Sequence, residues 1–243
     1  MQGRAVRRMR LDFEFMQETF LLVWSGAGTT LSLTALVLLV SIPLGFYLAA
    51  VRLHSGLIIS SAVRGYVSFV RGTPIILQIL LVYSLLPSLL NAAAQAAGLS
   101  VNIFDLIEPF WYAAVVFTLN TTALLTEVFR SSLTAIPKGQ LEAGLTCGMS
   151  AFKTYLHIIV PQALAVALPG LCNATVNLVK GTSLAFLMTV KDIMAVGKIA
   201  ASYGYNYLEA YLDVFLVYLI LCTIIQLGYA VLEARLSTFR AKL

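Results

Sequence analysis

Of the 243 residues, 60% are hydrophobic and only 11% are charged, with a mean hydropathy of +0.90. A water-soluble domain carries about 25% charged residues to clothe its surface, so this composition excludes a soluble protein and indicates an integral membrane one. The net charge of +5 comes from bases scattered between long apolar runs, which excludes a basic nucleic-acid-binding face and reports orientation in a bilayer instead.

Residues 1–20 hold Arg4, Arg7, Arg8 and Arg10, then Asp12, Glu14 and Glu18. They are read as an N-terminal interfacial segment ahead of a transmembrane unit covering residues 21–235. From Trp24 to Val51 no residue is charged, which is long enough for a helix to cross a hydrocarbon layer of ~30 Å. Pro43-Leu44-Gly45 within this run is expected to bend or thin the helix so that a neighbour approaches. A second span is expected at 63–90, with Arg71-Gly72-Thr73-Pro74 at the cytoplasmic start of its tight part and an external loop after it. Spans three, four and five follow at 109–126, 158–190 and 214–232, and residues 236–243 form a tail. None of these runs alternates with the two-residue period of a membrane barrel, so the expected fold is all-α with five transmembrane helices. Cys147, Cys172 and Cys222 are odd in number and far apart, and read as small packing residues. Tyr203-Gly204-Tyr205-Asn206-Tyr207 fits an interfacial aromatic belt before the last span.

Five spans put three basic stretches on one side: Arg52, Arg64 and Arg71, then Arg130, Lys138 and Lys153, and finally Arg235, Arg240 and Lys242. On the other side, loop 91–108 has no base and 191–209 has Lys191 and Lys198. The excess of bases places the C-terminus in the cytoplasm and the N-terminus outside. The four N-terminal arginines run against this assignment.

The stretch between spans three and four is too long for a tight turn and too polar to cross. Leu141, Leu145, Met149, Phe152, Leu156 and Ile159 recur at steps of three and four, a helical apolar stripe. Gly148 interrupts the stripe, and Ser150 is placed to cap a second short helix. The expectation is helix, turn, helix, ending at Val160-Pro161 where the fourth span begins. From periodicity alone, such a hairpin either rests on lipid headgroups or docks on a partner.

Glu142-Ala143-Gly144, three residues, Gly148, nine residues, then Ile158-Ile159-Val160-Pro161 resembles the cytoplasmic signature loop of binding-protein-dependent ABC importer permeases. The pattern of that family is E-A-A, three residues, G, nine residues, I, one residue, L-P; Gly144 and Val160 depart from it but stay small or apolar. Phe69-Val70-Arg71-Gly72-Thr73-Pro74, Leu119-Asn120-Thr121 with Glu127-Val128-Phe129-Arg130, Ile136-Pro137-Lys138-Gly139-Gln140 and Leu178-Val179-Lys180-Gly181-Thr182-Ser183-Leu184 are similar to the polar amino-acid branch, the histidine and glutamine permease group. The resemblance covers roughly residues 25–235. Gly181 stands where relatives often have an acid after the lysine.

The resemblance implies a type I ABC importer transmembrane domain in the bacterial cytoplasmic (inner) membrane. It also implies a second permease subunit, identical or paralogous, ABC ATPase subunits and an extracytoplasmic solute-binding protein. Residues 138–161 then form the coupling loop, with Glu142, Ala143, Gly144, Gly148, Ile158 and Pro161 as its signature. Gly144 and Gly148 are expected to let a partner surface approach closely, and Glu142 is either a charged interface contact or a solvated helix-face acid. The chain encodes no G-x-x-x-x-G-K-[ST] phosphate-cradling loop, so no cofactor is expected in it, and ATP and Mg are expected on the partner ATPase. His54 and His157 are isolated, and no nucleophile–base pair stands out.

Ionisable groups inside a span are costly and usually face a cavity or a partner; Glu127 and Lys180 qualify here. Glu127 sits three residues from Arg130, so a local ion pair is the plain alternative to a pathway role. Pro169-Gly170 and Gly181 are expected to loosen the helix around Lys180. Lys180, Thr182, Ser183, Asn120, Thr121 and Gln78 together supply the donors and acceptors that a zwitterionic amino acid needs in a translocation cavity, or else tie helices together. The competing function is a self-contained ion-driven amino-acid carrier, for which inverted repeats and further charged coupling residues are expected but not seen. A membrane-embedded enzyme lacks buried His/Glu or Asp pairs.

Overall fold

The computed structural model describes residues 11–99 and 106–240, with side chains to residue 236. The described residues are helical apart from short connections. In chain order the helices are α1 (Phe13–Ser25), α2 (Ala27–His54), α3 (Leu57–Gly72), α4 (Ile75–Ala96), α5 (Pro109–Thr134), α6 (Lys138–Thr146), α7 (Ala151–Thr154), α8 (Val160–Gly181), α9 (Ile193–Gly204) and α10 (Tyr207–Arg240). A π-turn over Tyr155–Ile159 joins α7 to α8, and a 3₁₀ segment over Thr182–Met188 extends α8. Among the described residues, five helical stretches are long and apolar enough to cross a membrane: Phe13–His54, Ile75–Ala96, Pro109–Thr134, Ala151–Met188 and Tyr207–Leu236.

α2 against α5 is the most extensive helix pair, and a glycine explains how close it is. A Cβ on Gly45 would lie 2.8 Å from Leu125 Cβ and 3.2 Å from the Leu125 carbonyl carbon, so only a bare α-carbon lets the two backbones meet. The expected thinning at Pro43-Leu44-Gly45 is therefore real, although α2 continues as one helix through Pro43. Phe129, one turn beyond Leu125 on the same seam, is buried edge-on to Phe46 with ring centroids 5.5 Å apart. α10 runs antiparallel to α8: Val179 packs near Tyr218 and Cys222, while Thr175 Oγ1 and the Tyr229 hydroxyl are 2.9 Å apart further along.

Two boundaries differ from expectation. The helical stretch apolar enough for the first crossing starts at Phe13 rather than Trp24, and α1 runs through the anticipated 20/21 border. Thr19 and Val23 are buried, and Val23 and Phe20 pack with Ile193, Val214 and Val217. Charge alone hid this, because Glu14 and Glu18 lie on an exposed face of α1 while its other face packs inward. Residues 1–10, which carry the N-terminal arginines, lie outside the described residues.

The second difference is a break in the expected span 63–90. Pro74 disfavours helix at the preceding residue, and Thr73 is extended, with φ −112° and ψ 140°. The break lies beside Asn120, midway along α5, rather than at the cytoplasmic end. There the Gln78 side-chain nitrogen donates to the Val70 carbonyl at 2.8 Å and to Thr73 Oγ1 at 2.7 Å. It thus covers a carbonyl that the ending helix leaves without an intrahelical partner.

Candidate coupling surface and translocation groove

At one end of the bundle, the chain between α5 and α8 forms a compact hairpin. α6 ends at Thr146, and Gly148 follows with φ +80°, a left-handed conformation that glycine adopts without penalty. Its N–H donates to the Leu145 carbonyl, and the Met149 N–H donates to the Gly144 carbonyl, each at 3.0 Å. Ser150 caps α7, its hydroxyl accepting from the Lys153 N–H at 3.3 Å.

The two limbs touch where Gly144 meets Thr154. A Cβ on Gly144 would lie 2.4 Å from Thr154 Cγ2 and 2.6 Å from its Oγ1. Gly144 is thus bare to let Thr154 approach within the hairpin, rather than a partner as expected, while Gly148 is exposed with open space beside it. Gly144 is buried inside the hairpin, and Gly148 serves the turn. The motif's departure from alanine at residue 144 is matched by a threonine opposite.

The apolar stripe divides as well. Leu141 and Ile159 pack inward with Phe129 and Leu133, whereas Leu145, Phe152 and Leu156 are exposed, Phe152 at 75%. Glu142 and Ala143 lie on the exposed side of α6, Ile158 is half-buried in the π-turn, and Pro161 sits in the first turn of α8. The hairpin therefore leaves an acid and three large apolar side chains exposed, Phe152 and Leu156 along a groove shared with Phe46, Ala50 and His54 of α2, a surface suited to a partner.

The expected cavity residues do not form one cluster. Lys180 and Ser183 line a groove of about 520 Å³ between the end of α8 and α10, together with Tyr211, Tyr218, Thr223 and Gln226. Lys180 is the one formal charge among its lining residues. Thr182 is buried, its hydroxyl donating to the Val179 carbonyl at 2.7 Å. Asn120 donates to the Gln78 side-chain oxygen at 3.3 Å beside the break between α3 and α4, and Thr121 is buried next to it. Glu127 pairs with Arg130, whose Nε and Nη2 lie 3.0 and 2.9 Å from Glu127 Oε2, and its other oxygen takes Arg52 from α2. The loosening expected at Pro169-Gly170 is not seen. α8 is continuous there, and Gly170 instead admits Val128, which a Cβ would meet at 2.6 Å. The change of helix type comes later, after Gly181.

Two buried acids escaped the sequence reading. Asp192 is fully buried; its carboxylate accepts from the Ala195 N–H at 2.9 Å and from the Tyr218 hydroxyl at 3.2 Å. An aspartate just before the apolar run starting at Ile193 is a helix-start signal that was available. Asp213 is 2% exposed and its Oδ2 has no partner in the structure; no sequence signal singled it out, because it lies in α10 behind an exposed Tyr-rich stretch.

The chain matches the family described as binding-protein-dependent transport system inner membrane component over residues 41–238. It is 33% identical over 227 residues to the probable amino-acid permease protein YxeN of Bacillus subtilis, covering 93% of this chain and 96% of that protein. It is 31% identical over 234 residues to the L-cystine transport system permease protein TcyB of the same organism, covering 96% and 94%. With the octopine transport system permease protein OccM of Rhizobium meliloti it shares 32% over 236 residues, again covering 96% and 94%. Among solved structures, it is similar to a chain of an amino acid ABC transporter crystallised with histidines, with TM-score 0.78, 26% identity, and 93% and 100% of the two chains covered. The inward-facing MetNI methionine ABC transporter shares the fold, with TM-score 0.62, 19% identity, and 88% and 94% covered. The chain therefore belongs to the binding-protein-dependent transport system inner membrane component family, as a membrane permease subunit of an amino-acid ABC transporter in which a separate subunit hydrolyses ATP.

Proposed function

We propose that this permease imports polar amino acids as one of two such subunits around a shared path, with its C-terminus in the cytoplasm. A separate ATPase, binding ATP and Mg, docks on the hairpin at residues 138–161, and a solute-binding protein delivers cargo on the opposite face. The observation that carries this reading is the exposure of Leu145, Phe152 and Leu156 on a hairpin whose two limbs already pack tightly at Gly144 and Thr154. Large apolar side chains left uncovered at the end of a membrane bundle are available to a partner protein. Glu142, Ala143, Gly144, Gly148, Ile158 and Pro161 shape that surface, Gly144 from within and Gly148 at its turn.

Along the path, Lys180 and Ser183 meet the cargo in the groove. A single ammonium with hydroxyl and amide neighbours and no lining carboxylate suits a carboxylate group, which a cation binds more strongly in a site poor in water. Gln78, Asn120 and Thr121 hold the break in the second crossing open beside this path, Thr182 fixes the turn that presents Ser183, and Glu127 locks the cytoplasmic end of α5. Uptake of radiolabelled amino acids into proteoliposomes holding permease, ATPase and binding protein tests the pathway role. Lys180→Ala is expected to lower binding-protein-stimulated uptake at least tenfold while leaving the ATPase bound. Full uptake by Lys180→Ala overturns it.

A further inference from the structure

We infer that the last turn of α2 is a clasp that joins the outgoing limb of the coupling hairpin to α5, the helix that leads into it, with His54 and Arg52 as its positioning residues. This rests on the reading that the hairpin docks the ATPase.

α5 leads into the hairpin and the π-turn leads out of it, and one turn of α2 holds both. Arg52 reaches Glu127 of α5, about two turns before that helix ends at Thr134. His54, two residues later and so about 200° further round the helix, reaches the other limb. Its Nε2 lies 2.9 Å from the Tyr155 hydroxyl, and the two rings meet edge to face with centroids 5.0 Å apart. The Ser60 hydroxyl donates to the Arg52 carbonyl at 3.2 Å, so the start of α3 is anchored to the same turn.

The proton positions follow from the partners. His54 Nδ1 lies 3.0 Å from the Ala50 carbonyl; a carbonyl only accepts, so Nδ1 carries the proton and donates. In the neutral ring Nε2 is then an acceptor, and the Tyr155 hydroxyl donates to it. Among the described residues this is the one side-chain hydrogen bond from hairpin residues 138–159 to α2 or α5. A crevice of about 240 Å³, lined by His54, Leu133, Pro137, Lys138, Leu141 and Tyr155, separates the hairpin from the bundle.

Tyr155 also opens the π-turn, a one-turn departure from α-helical pitch that recurs at functional positions. A hairpin pulled by its partner can shift over the crevice, and the contact that passes this shift to α2, and through Arg52–Glu127 to α5, is His54–Tyr155. Loss of that contact leaves docking intact and weakens transmission.

The experiment uses permease, ATPase and binding protein reconstituted together, with three readouts: ATPase captured by the permease, ATP hydrolysed, and radiolabelled amino acids taken up. Tyr155→Phe removes the hydroxyl and keeps the ring; His54→Gln keeps an acceptor in reach of the hydroxyl; His54→Ala removes it. Losing one hydrogen bond's worth of coupling lowers uptake per ATP by about fivefold to tenfold. The expected result is that fall in Tyr155→Phe and His54→Ala, no further fall in their double variant, partial recovery in His54→Gln, and ATPase capture unchanged throughout. Wild-type uptake per ATP in Tyr155→Phe, or capture lost in His54→Ala, overturns the clasp. Failure of the unaltered permease to capture the ATPase overturns the docking reading itself.

Discussion

Replacing Gly144 by alanine adds one methyl group between the two limbs of the coupling hairpin. That carbon would stand 2.4 Å from Thr154 Cγ2, against an optimum of about 3.5–4.0 Å between non-bonded carbons. Thr154 cannot yield easily: it is fully buried, and its hydroxyl is committed to the Ser150 carbonyl at 3.0 Å. Overpacking of this kind costs about 1–3 kcal/mol, while replacing a helical glycine with alanine returns about 1 kcal/mol. The net is a loss of up to about 2 kcal/mol, confined to a local unit and equivalent to about thirtyfold in its opening equilibrium. Amide hydrogen exchange over residues 141–156 of Gly144→Ala is expected to accelerate by up to that factor, with uptake falling alongside. Thr154→Ala, which removes Cγ2 and Oγ1, is expected to restore slow exchange and uptake in the double variant. Unchanged exchange in Gly144→Ala, or a double variant as impaired as the single one, refutes the packing explanation.

The same geometry sets other outcomes. Gly45→Val is expected to disrupt the α2–α5 seam and abolish folded, monodisperse permease in detergent, because the obstruction includes backbone of Leu125 and Thr126; Gly170→Ala, which meets only the Val128 side chain, is expected to be rescued by Val128→Ala in a thermal melt. Glu127→Gln removes the charge that Arg52 and Arg130 share, with an expected cost of about 1–3 kcal/mol for unpairing partly buried charges, read as a lower melting temperature. Asp192→Ala is expected to lose about 0.5–2 kcal/mol of cap stability and to unpair the Tyr218 hydroxyl, whereas Asp192→Asn keeps an acceptor for the Ala195 N–H. Burial pushes the Asp192 carboxyl above the usual carboxylate range, so the folded state holds its proton more tightly than the unfolded one. Its contribution is full below the unfolded value of about 3.9 and is lost as pH rises through the higher folded value; melts across that range are expected to flatten in Asp192→Asn.

The five crossings were legible because length and apolarity alone decide what spans a bilayer, and charge-free runs located each of them, although the first stretch starts 11 residues earlier and the second 12 residues later than expected. The hairpin was legible too, since Gly148 and Ser150 are local signals with local consequences: a left-handed turn and a helix cap. What stayed hidden depends on which residues meet across the fold. Gly144 reads as an open surface until Thr154 is seen against it. Glu14 and Glu18 concealed a helix face that packs inward, and Asp213 in α10 carries no signature in its neighbours. Lys180 and Ser183, three residues apart, line one groove, whereas Gln78 and Asn120 meet at a helix break whose depth only the packing of α3 on α5 fixes. The partners of Glu127 were half visible: Arg130 is three residues away, whereas Arg52 arrives from another helix.

Capture of the ATPase subunit by detergent-solubilised permease, compared between the natural chain and Leu145→Asp/Phe152→Asp, tests most directly whether the outward face of the hairpin receives the motor. Both side chains are exposed, at 47% and 75%, so the melting temperature of the permease alone should not move. The expected result is retention of the ATPase by the natural chain and its loss from the variant. An ATPase held equally well by both would contradict the assignment of residues 138–161 as the coupling surface.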